Sequence, residues 1–357
     1  MIRTLVTVLI ALATALAAAG CGSGGSGSGD NGGAQPMDTS TAAHRFLDTY
    51  VSSDGRVQRK DEGNDIVSEG QAYGMLIAEI AGRDDLAQSI WSWTKSHLQR
   101  PDDLISWHAD PSGKVLDQAS ATDADILLAY ALLRYSGTGA DSLHQDGQQL
   151  AHAVLANETV THDGAPIPVA GPWALNAPYS VDPSYWMPGI YDGLAKLTGD
   201  QRWTQARSAT VAVVSQLTGN GSSLPPDWAT LDQSAKATGS GGGNPVQYGA
   251  DAQRMPIWFA YGCDDASKGL AASWWKLLSA QPGALALNLD GSPLNGNPFP
   301  VAYLGAAAAA HAAGDDDSAN SLRAQAAQAA EQSPSYYGDA WLALSGGLAD
   351  GIIGGCS

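Results

Sequence analysis

Basic residues are scarce in this chain of 357: 18 Lys and Arg stand against 36 Asp and Glu, a formal charge of −18. That balance speaks against a nucleic-acid partner, whose phosphates are held by Lys and Arg. It also disfavours an anionic glycan and leaves neutral or cationic partners. Metal and phosphate patterns are missing too. There is no His-Glu-x-x-His, no Cys/His cluster at zinc spacing and no Gly-x-x-x-x-Gly-Lys loop, and the seven His are scattered. No metal and no cofactor is therefore expected. Runs of Val, Ile and Thr are few while Ala is abundant, which favours helix over strand.

Only 3 cysteines are present, Cys21, Cys263 and Cys356. The first closes a targeting segment. Arg3 is the sole charge ahead of it, and Leu5 to Ala19 is an apolar run too short to be kept as a spanning helix. The run ends in Ala18-Ala19-Gly20-Cys21, similar to a bacterial lipobox, so residues 1–20 are expected to be a lipoprotein-type signal and Cys21 the lipidated residue. A Gly/Ser tether is expected over 21–38, followed by a single folded domain over 39–357. The expected setting is extracytoplasmic, with a membrane reached only through the lipid anchor. Cys263 and Cys356 are a possible disulfide in an exported chain.

Helical periodicity dominates the remainder. Helices are expected at 40–53, 68–82, 84–99, 123–136, 142–156, 185–198, 200–217, 251–262, 266–279, 300–313, 315–331 and 338–349. Within 84–99, Leu86, Ile90, Trp93 and Leu98 recur at the spacing of one buried face. About twelve helices in succession, joined by loops rich in Pro, Gly and Asp, are most simply arranged as hairpins in a ring, an all-α (α/α)6 barrel. Short strands are expected near 104–116 and 158–170, and Asp290-Gly291 signals a turn.

Three acidic positions open apolar segments. Glu69 stands in Ser68-Glu69-Gly70-Gln71-Ala72-Tyr73-Gly74-Met75, where Ser68 and Gln71 could form a capping arrangement. An acid in a first turn is also favoured by the helix dipole. Small residues and the Tyr73 ring and hydroxyl go beyond what a cap needs. Asp123 and Asp125 start the apolar helix Ile126 to Leu133, with Thr122 as the expected N-cap and Asp123 pointing into a cavity at the helix ends. Asp251 is followed three residues later by Arg254, on one helical face, and a partly buried Arg would orient that carboxylate and keep it ionised. Separated carboxyls among small and aromatic residues suit sugar chemistry, in which one protonates a leaving oxygen and another activates water.

These segments resemble glycoside hydrolase family 8. The family's Ser-Glu-Gly-Gln-x-Tyr-Gly-Met element is matched by Ser68 to Met75, its Ala-Thr-Asp-Ala-Asp signature by Ala121 to Asp125, and its Tyr-Asp-Ala-x-Arg-x-Pro element from Asp251 to Pro256. Pro183-Ser184-Tyr185-Trp186 is similar to a fourth, Pro-Ser-Tyr-Phe. Ala250 departs from the pattern where the family has tyrosine; the nearest tyrosine is Tyr248. The resemblance implies the (α/α)6 barrel and inversion at the anomeric carbon. It makes Glu69 the general acid and Asp251 the general base. Asp123 would bind the sugar at the cleavage point, Arg254 would hold Asp251, and Tyr185 would line the subsite.

Eleven Trp offer sugar-stacking faces. Trp107 and Trp186 are expected at subsites. Trp91, Trp93, Trp258, Trp274, Trp275 and Trp341, in apolar helices, are expected in the core. Tyr73, Asp125, Tyr185, Tyr248 and Arg254 complete the expected substrate contacts. The expectation is a monomeric, inverting endo-β-1,4-glucanase acting on cellulose-like β-glucan. A chitosanase or xylanase of the same family, or a glycan-binding lipoprotein without turnover, are the alternatives.

Overall fold

The structure is a computed structural model that describes residues 35–241 and 245–356. The signal, Cys21 and most of the tether lie outside the described residues. Twelve α-helices occur among those described: α1 (Thr39–Tyr50), α2 (Ser68–Ile80), α3 (Asp84–His97), α4 (Thr122–Arg134), α5 (Ala140–Asn157), α6 (Pro188–Thr198), α7 (Arg202–Leu217), α8 (Met255–Ala260), α9 (Asp265–Leu278), α10 (Pro300–Ala312), α11 (Asp316–Gln332) and α12 (Tyr336–Ala349).

Which helices lie inside follows from their sequences. In α4 every residue but Arg134 is buried, and α2, α10 and α12 are nearly as enclosed. A helix that is apolar all round must be covered on all sides. The even-numbered helices pack each on the next, α2 on α4, α6, α8, α10, α12 and back to α2. The odd-numbered helices lie outside this ring and bury one stripe each. In α3 that stripe is Ala87, Ile90, Trp91, Trp93 and Thr94. The result is an (α/α)6 barrel.

The inner helices bring their N-terminal ends to one face. Glu69 of α2, Asp123 of α4, Tyr185 ahead of α6, Asp251 and Arg254 ahead of α8, Phe299 ahead of α10, and Tyr336 and Tyr337 of α12 all line a single cleft. At the opposite face, the floor, Thr39 of α1 packs against Gly346 near the end of α12. The C-terminal tail crosses the same floor, where Tyr130 donates to the Ile353 carbonyl (3.3 Å) and Arg134 to that of Ile352. Cys263 is bonded to Cys356, with Cα atoms 5.2 Å apart.

Short antiparallel strands join the helices, and all but one pair of them, 159–162 with 165–168, contribute residues to the cleft rim. Those at 66–67, 108–109 and 115–117 pair in that order, and 159–162 pairs with 165–168, in the two regions where strands were expected. Pairs not expected are 179–181 with 228–231 and 237–240, and 284–287 with 293–298 around the Asp290-Gly291 turn. Helix starts differ where proline sets them. Pro188 begins α6, and Pro183–Tyr185 ahead of it is a 3-10 turn, as is Ala252–Arg254 ahead of α8. Neither expected cap forms. Thr122 is the first residue of α4 and Ala121 occupies the cap, while α2 is preceded by Val67 without a side-chain cap. Gln71 turns inward instead. It accepts from the Val57 amide (2.7 Å) and donates to the Gly55 carbonyl (3.1 Å) and the Thr94 hydroxyl (2.8 Å).

Candidate active site

Arg254 is the hub of the cleft base. Its side chain is 3% exposed, and charge this deep requires partners on every donor. Nη1 donates to Glu69 Oε1 (2.6 Å) and Asp123 Oδ2 (3.3 Å), and to the Tyr73 hydroxyl (3.1 Å). Nη2 donates to Ser184 Oγ (2.5 Å) and lies 3.5 Å from both Asp251 Oδ1 and Asp182 Oδ2. One cation thus joins four carboxyls from four inner-helix starts. It grips Glu69 more closely than Asp251, the partner expected from the sequence, because the fork of the guanidinium points across the barrel rather than back along its own turn. Tyr73 donates to Glu69 Oε1 as well (2.9 Å), so that oxygen has two donors.

Exposure separates the carboxyls. The Glu69 side chain is 23% exposed and Asp251 41%, whereas Asp123 is 5% and Asp182 1%. Burial pushes Asp123 up to about 7, and the nearby Glu69 charge adds to it. Asp182 is also driven well up, first by burial and then by the Asp251 charge. With one guanidinium among them, these acids keep protons at a pH where free carboxyls have lost theirs.

Above this base the cleft has a volume of about 1450 Å³. Trp107, Trp173, Tyr185, Trp228, Phe299 and Tyr337 line it. A cavity for a small molecule measures about 300–1,000 Å³, so this one is large enough for several sugar rings. The profile of the Glycosyl hydrolases family 8 matches residues 34–351. The chain belongs to that family. By family it is a glycoside hydrolase.

Relatives fit the same frame. A probable endoglucanase of Novacetimonas hansenii is 34% identical over 60% of this chain and 64% of its own length. The chain thus spans a little under two thirds of that relative. In fold it is similar to the endo-β-1,4-glucanase of Acetobacter xylinum, with a TM-score of 0.72 at 24% identity over 88% of this chain and 98% of that one. A β-1,3-1,4-glucanase of Paenibacillus sp. X4 gives 0.76 at 22% identity, over 90% and 95%.

Four residues expected at the substrate lie elsewhere in this family 8 fold. Asp125 is 0% exposed and accepts from the Ile105 amide (3.1 Å), on the far side of α4 from the cleft. Trp186 is fully buried, its indole N–H donating to the Pro168 carbonyl (2.9 Å). Tyr248 is buried in a backbone bridge to Leu287 and does not line the cleft, so its ring does not stand in for the tyrosine replaced by Ala250. Tyr73 is enclosed and bears on the cleft through Glu69 and Arg254. Trp107 and Tyr185 do line the cleft. Of the Trp expected in the core, Trp91, Trp93, Trp258, Trp274 and Trp341 are buried and Trp275 is half-buried.

Asp227 was not singled out in the sequence. Its Oδ1 accepts from the Gly249 amide (2.8 Å) and the Ala252 amide (3.0 Å), bracketing Asp251, and its Oδ2 accepts from Gln247 (3.2 Å). A Cβ at 249 would come within 2.4 Å of Asp227 Oδ2, so any larger residue there would push this carboxylate aside. Burial, then the Asp251 charge, pushes Asp227 up to about 6. Asp227→Ala frees the turn that carries Asp251. It is expected to lower kcat by about 10²-fold, the cost of a misplaced reacting group, with KM nearly unchanged. Steady-state kinetics on the released sugar check this, and a kcat within threefold of the parent rejects the positioning role.

Proposed function

We propose that the chain is an endo-acting, inverting β-1,4-glucanase of family 8, with Glu69 as general acid and Asp251 as general base. The observation that carries this reading is the long, aromatic-lined groove lying over two partly exposed carboxyls held apart by one guanidinium. Glu69 and Asp251 contact different terminal nitrogens of Arg254, at 2.6 and 3.5 Å, so they stand at two corners of one guanidinium rather than against each other. Single displacement with inversion uses carboxyls about 6.5–9.5 Å apart, leaving room for a water between base and sugar. Asp251, the more exposed, can hold that water. Glu69, at the start of α2 and bonded by Tyr73, faces the leaving oxygen. Asp123, lying between them, holds the sugar at the point of cleavage. The endoglucanase names of the relatives favour glucan as the substrate.

Chitosan is a second reading with its own support. Asp61, Glu62 and Asp117 line the groove in addition to the acids of its base, against Arg59, Arg100 and Arg254, so an ammonium-bearing polymer would meet an acidic wall. Xylan has no comparable feature in its favour, and a binding protein without turnover would not need to retain both exposed carboxyls. All six inner-helix starts come from one chain, which fits action as a monomer. The Cys263–Cys356 bond fits an oxidising compartment outside the cytoplasm, and Cys21 remains the proposed anchor.

Purified protein is to be incubated with mixed-linkage β-glucan, carboxymethyl-cellulose, chitosan and xylan, with products separated by size and their anomers followed by NMR. Internal cleavage of β-glucan with the α-anomer appearing first is the expected result. The β-anomer first rejects inversion, and activity on chitosan alone moves the substrate to the second reading.

A further inference from the structure

His108 does not line the cleft, yet it holds a residue that does. Trp107 lies half-buried in the cleft wall, at a bend just ahead of the strand 108–109. Its backbone is fixed on both sides. The amide donates to the Ala119 carbonyl (2.8 Å), and the carbonyl accepts from the Ser68 amide (2.9 Å), next to Glu69. Those bonds leave the two torsions of the indole free. Adjacent side chains along a regular strand point to opposite faces. The bend at Trp107 brings its ring and that of His108 together instead, with centroids 4.6 Å apart and planes inclined by 29°. One face of the indole is thus backed by imidazole, while the residue still lines the cleft.

The imidazole is itself clamped. His108 Nε2 lies 2.9 Å from Asp65 Oδ2. Arg59 grips the same carboxylate with two parallel bonds, Nε to Oδ1 (2.8 Å) and Nη2 to Oδ2 (2.5 Å). A carboxylate in such a fork stays ionised and only accepts, so Nε2 carries the proton and donates. Asp65 has little freedom of its own. The Arg59 amide donates to its carbonyl (3.0 Å), and Ile66 and Val67 after it pair with Ala109 and His108. Arg59 also lines the cleft. Contacts thus run from one wall residue to another, Arg59 to Asp65 to His108 to Trp107, through two residues that the cleft does not touch. Strand pairing already joins these segments, so holding the rim together does not call for this arrangement.

We propose that His108, clamped by Asp65, is a positioning residue that presets the Trp107 indole as a platform for a sugar ring. This rests on the glucanase reading above for its kinetic consequence, though not for the state of the ring. An indole free to swing must be ordered each time a sugar docks, and one already held does not carry that cost. The apolar C–H face of a pyranose then meets a ring of fixed orientation. Trp107 is neither acid nor base, so the gain falls on binding. His108 acts on KM through Trp107 and leaves bond cleavage to the carboxyls.

The test compares the full chain with His108→Ala, His108→Phe, Trp107→Ala and the double variant His108→Ala with Trp107→Ala. KM for β-glucan should rise roughly two- to tenfold in His108→Ala, the cost of ordering one side chain, with kcat within about twofold of the parent. His108→Phe keeps a ring beside the indole but cannot donate to Asp65, and should show the same rise. In the Trp107→Ala background the His108 substitution should add nothing. A residue that merely braced the rim would lower the thermal midpoint in both backgrounds and leave KM alone. Unchanged KM in His108→Ala overturns the proposal, and so do effects that multiply in the double variant. Parental KM in His108→Phe overturns the part given to Asp65. Labelling with 5-fluorotryptophan reads the ring without substrate, the Trp107 resonance being the one lost in Trp107→Ala. It should be narrow in the parent and broadened by ring motion in His108→Ala and His108→Phe. If no glucan is hydrolysed, the failure belongs to the glucanase reading, and a resonance equally narrow in all three still overturns the clamp. Should His108→Ala fail to fold, the same comparisons are made with His108→Phe, which fills the site.

Discussion

Glu69→Gln should lower kcat on β-glucan by about 10²–10⁴-fold, the usual worth of a positioned proton donor. KM should hardly change. The glutamine carbonyl can still accept from Tyr73 and Arg254, so the base of the cleft keeps its shape. The loss should vanish with a glycosyl fluoride, whose leaving group needs no proton. Asp251→Asn should be equally slow on polymer and remain slow on the fluoride, since water must still be activated. This contrast separates acid from base without a structure of the complex. If Glu69→Gln keeps the parent rate on polymer, the acid is another carboxyl. Asp123 is then the first to examine, since burial pushes it up to about 7, where it holds a proton near neutrality.

Arg254→Ala should be the most damaging change to the fold of the site. It leaves Glu69, Asp123, Asp182 and Asp251 without their common cation, and removal of one partner from a buried ionic group costs about 3–5 kcal/mol. The thermal midpoint should fall by on the order of 10 °C. The pH dependence has a definite sign. Without the guanidinium the upward push on Asp123 and Asp182 is opposed only by their hydrogen bonds to Ala124 and Ser184, and the folded state binds still more protons than the unfolded one. The deficit should therefore be smaller at pH 4.5 than at pH 7.5. Lysine at 254 should recover little, because one ammonium cannot reach Ser184 and Glu69 together as the planar fork does. A midpoint within about 2 °C of the parent at pH 7.5 would show that Arg254 does not stabilise the fold through these carboxyls.

The parts of this site that could be read in the sequence are those that open an apolar helix. Glu69 and Asp123 each stand in a first turn ahead of residues that must be buried, so their side chains have only the helix end to occupy. The all-buried runs of α2, α4, α10 and α12 likewise announce an inner ring. Asp125 shows where this reasoning stops. Two residues along a helix amount to about 200° around its axis, so Asp123 and Asp125 face opposite ways, and the sequence does not say which one faces the cleft. Asp182 and Asp227 were illegible for another reason. Each is a single acid in a loop, and what places it is the pairing of 179–181 with 228–231, a contact between distant segments. Trp186 and Trp228 differ in the same way: the first leads into an apolar helix and turns inward, while the second lies on a strand that rims the cleft.

Both ends of the described chain leave from the floor of the barrel. Thr39 packs by the end of α12, and the tail beyond α12 is bonded across the ends of α4 and to Cys263. The consequence is one of aim. Anything to which the residues ahead of Thr39 were fastened would lie behind the barrel, with the groove opening outward like the mouth of a cup held by its base. A polymer strand could then pass along the groove without such a surface obstructing it.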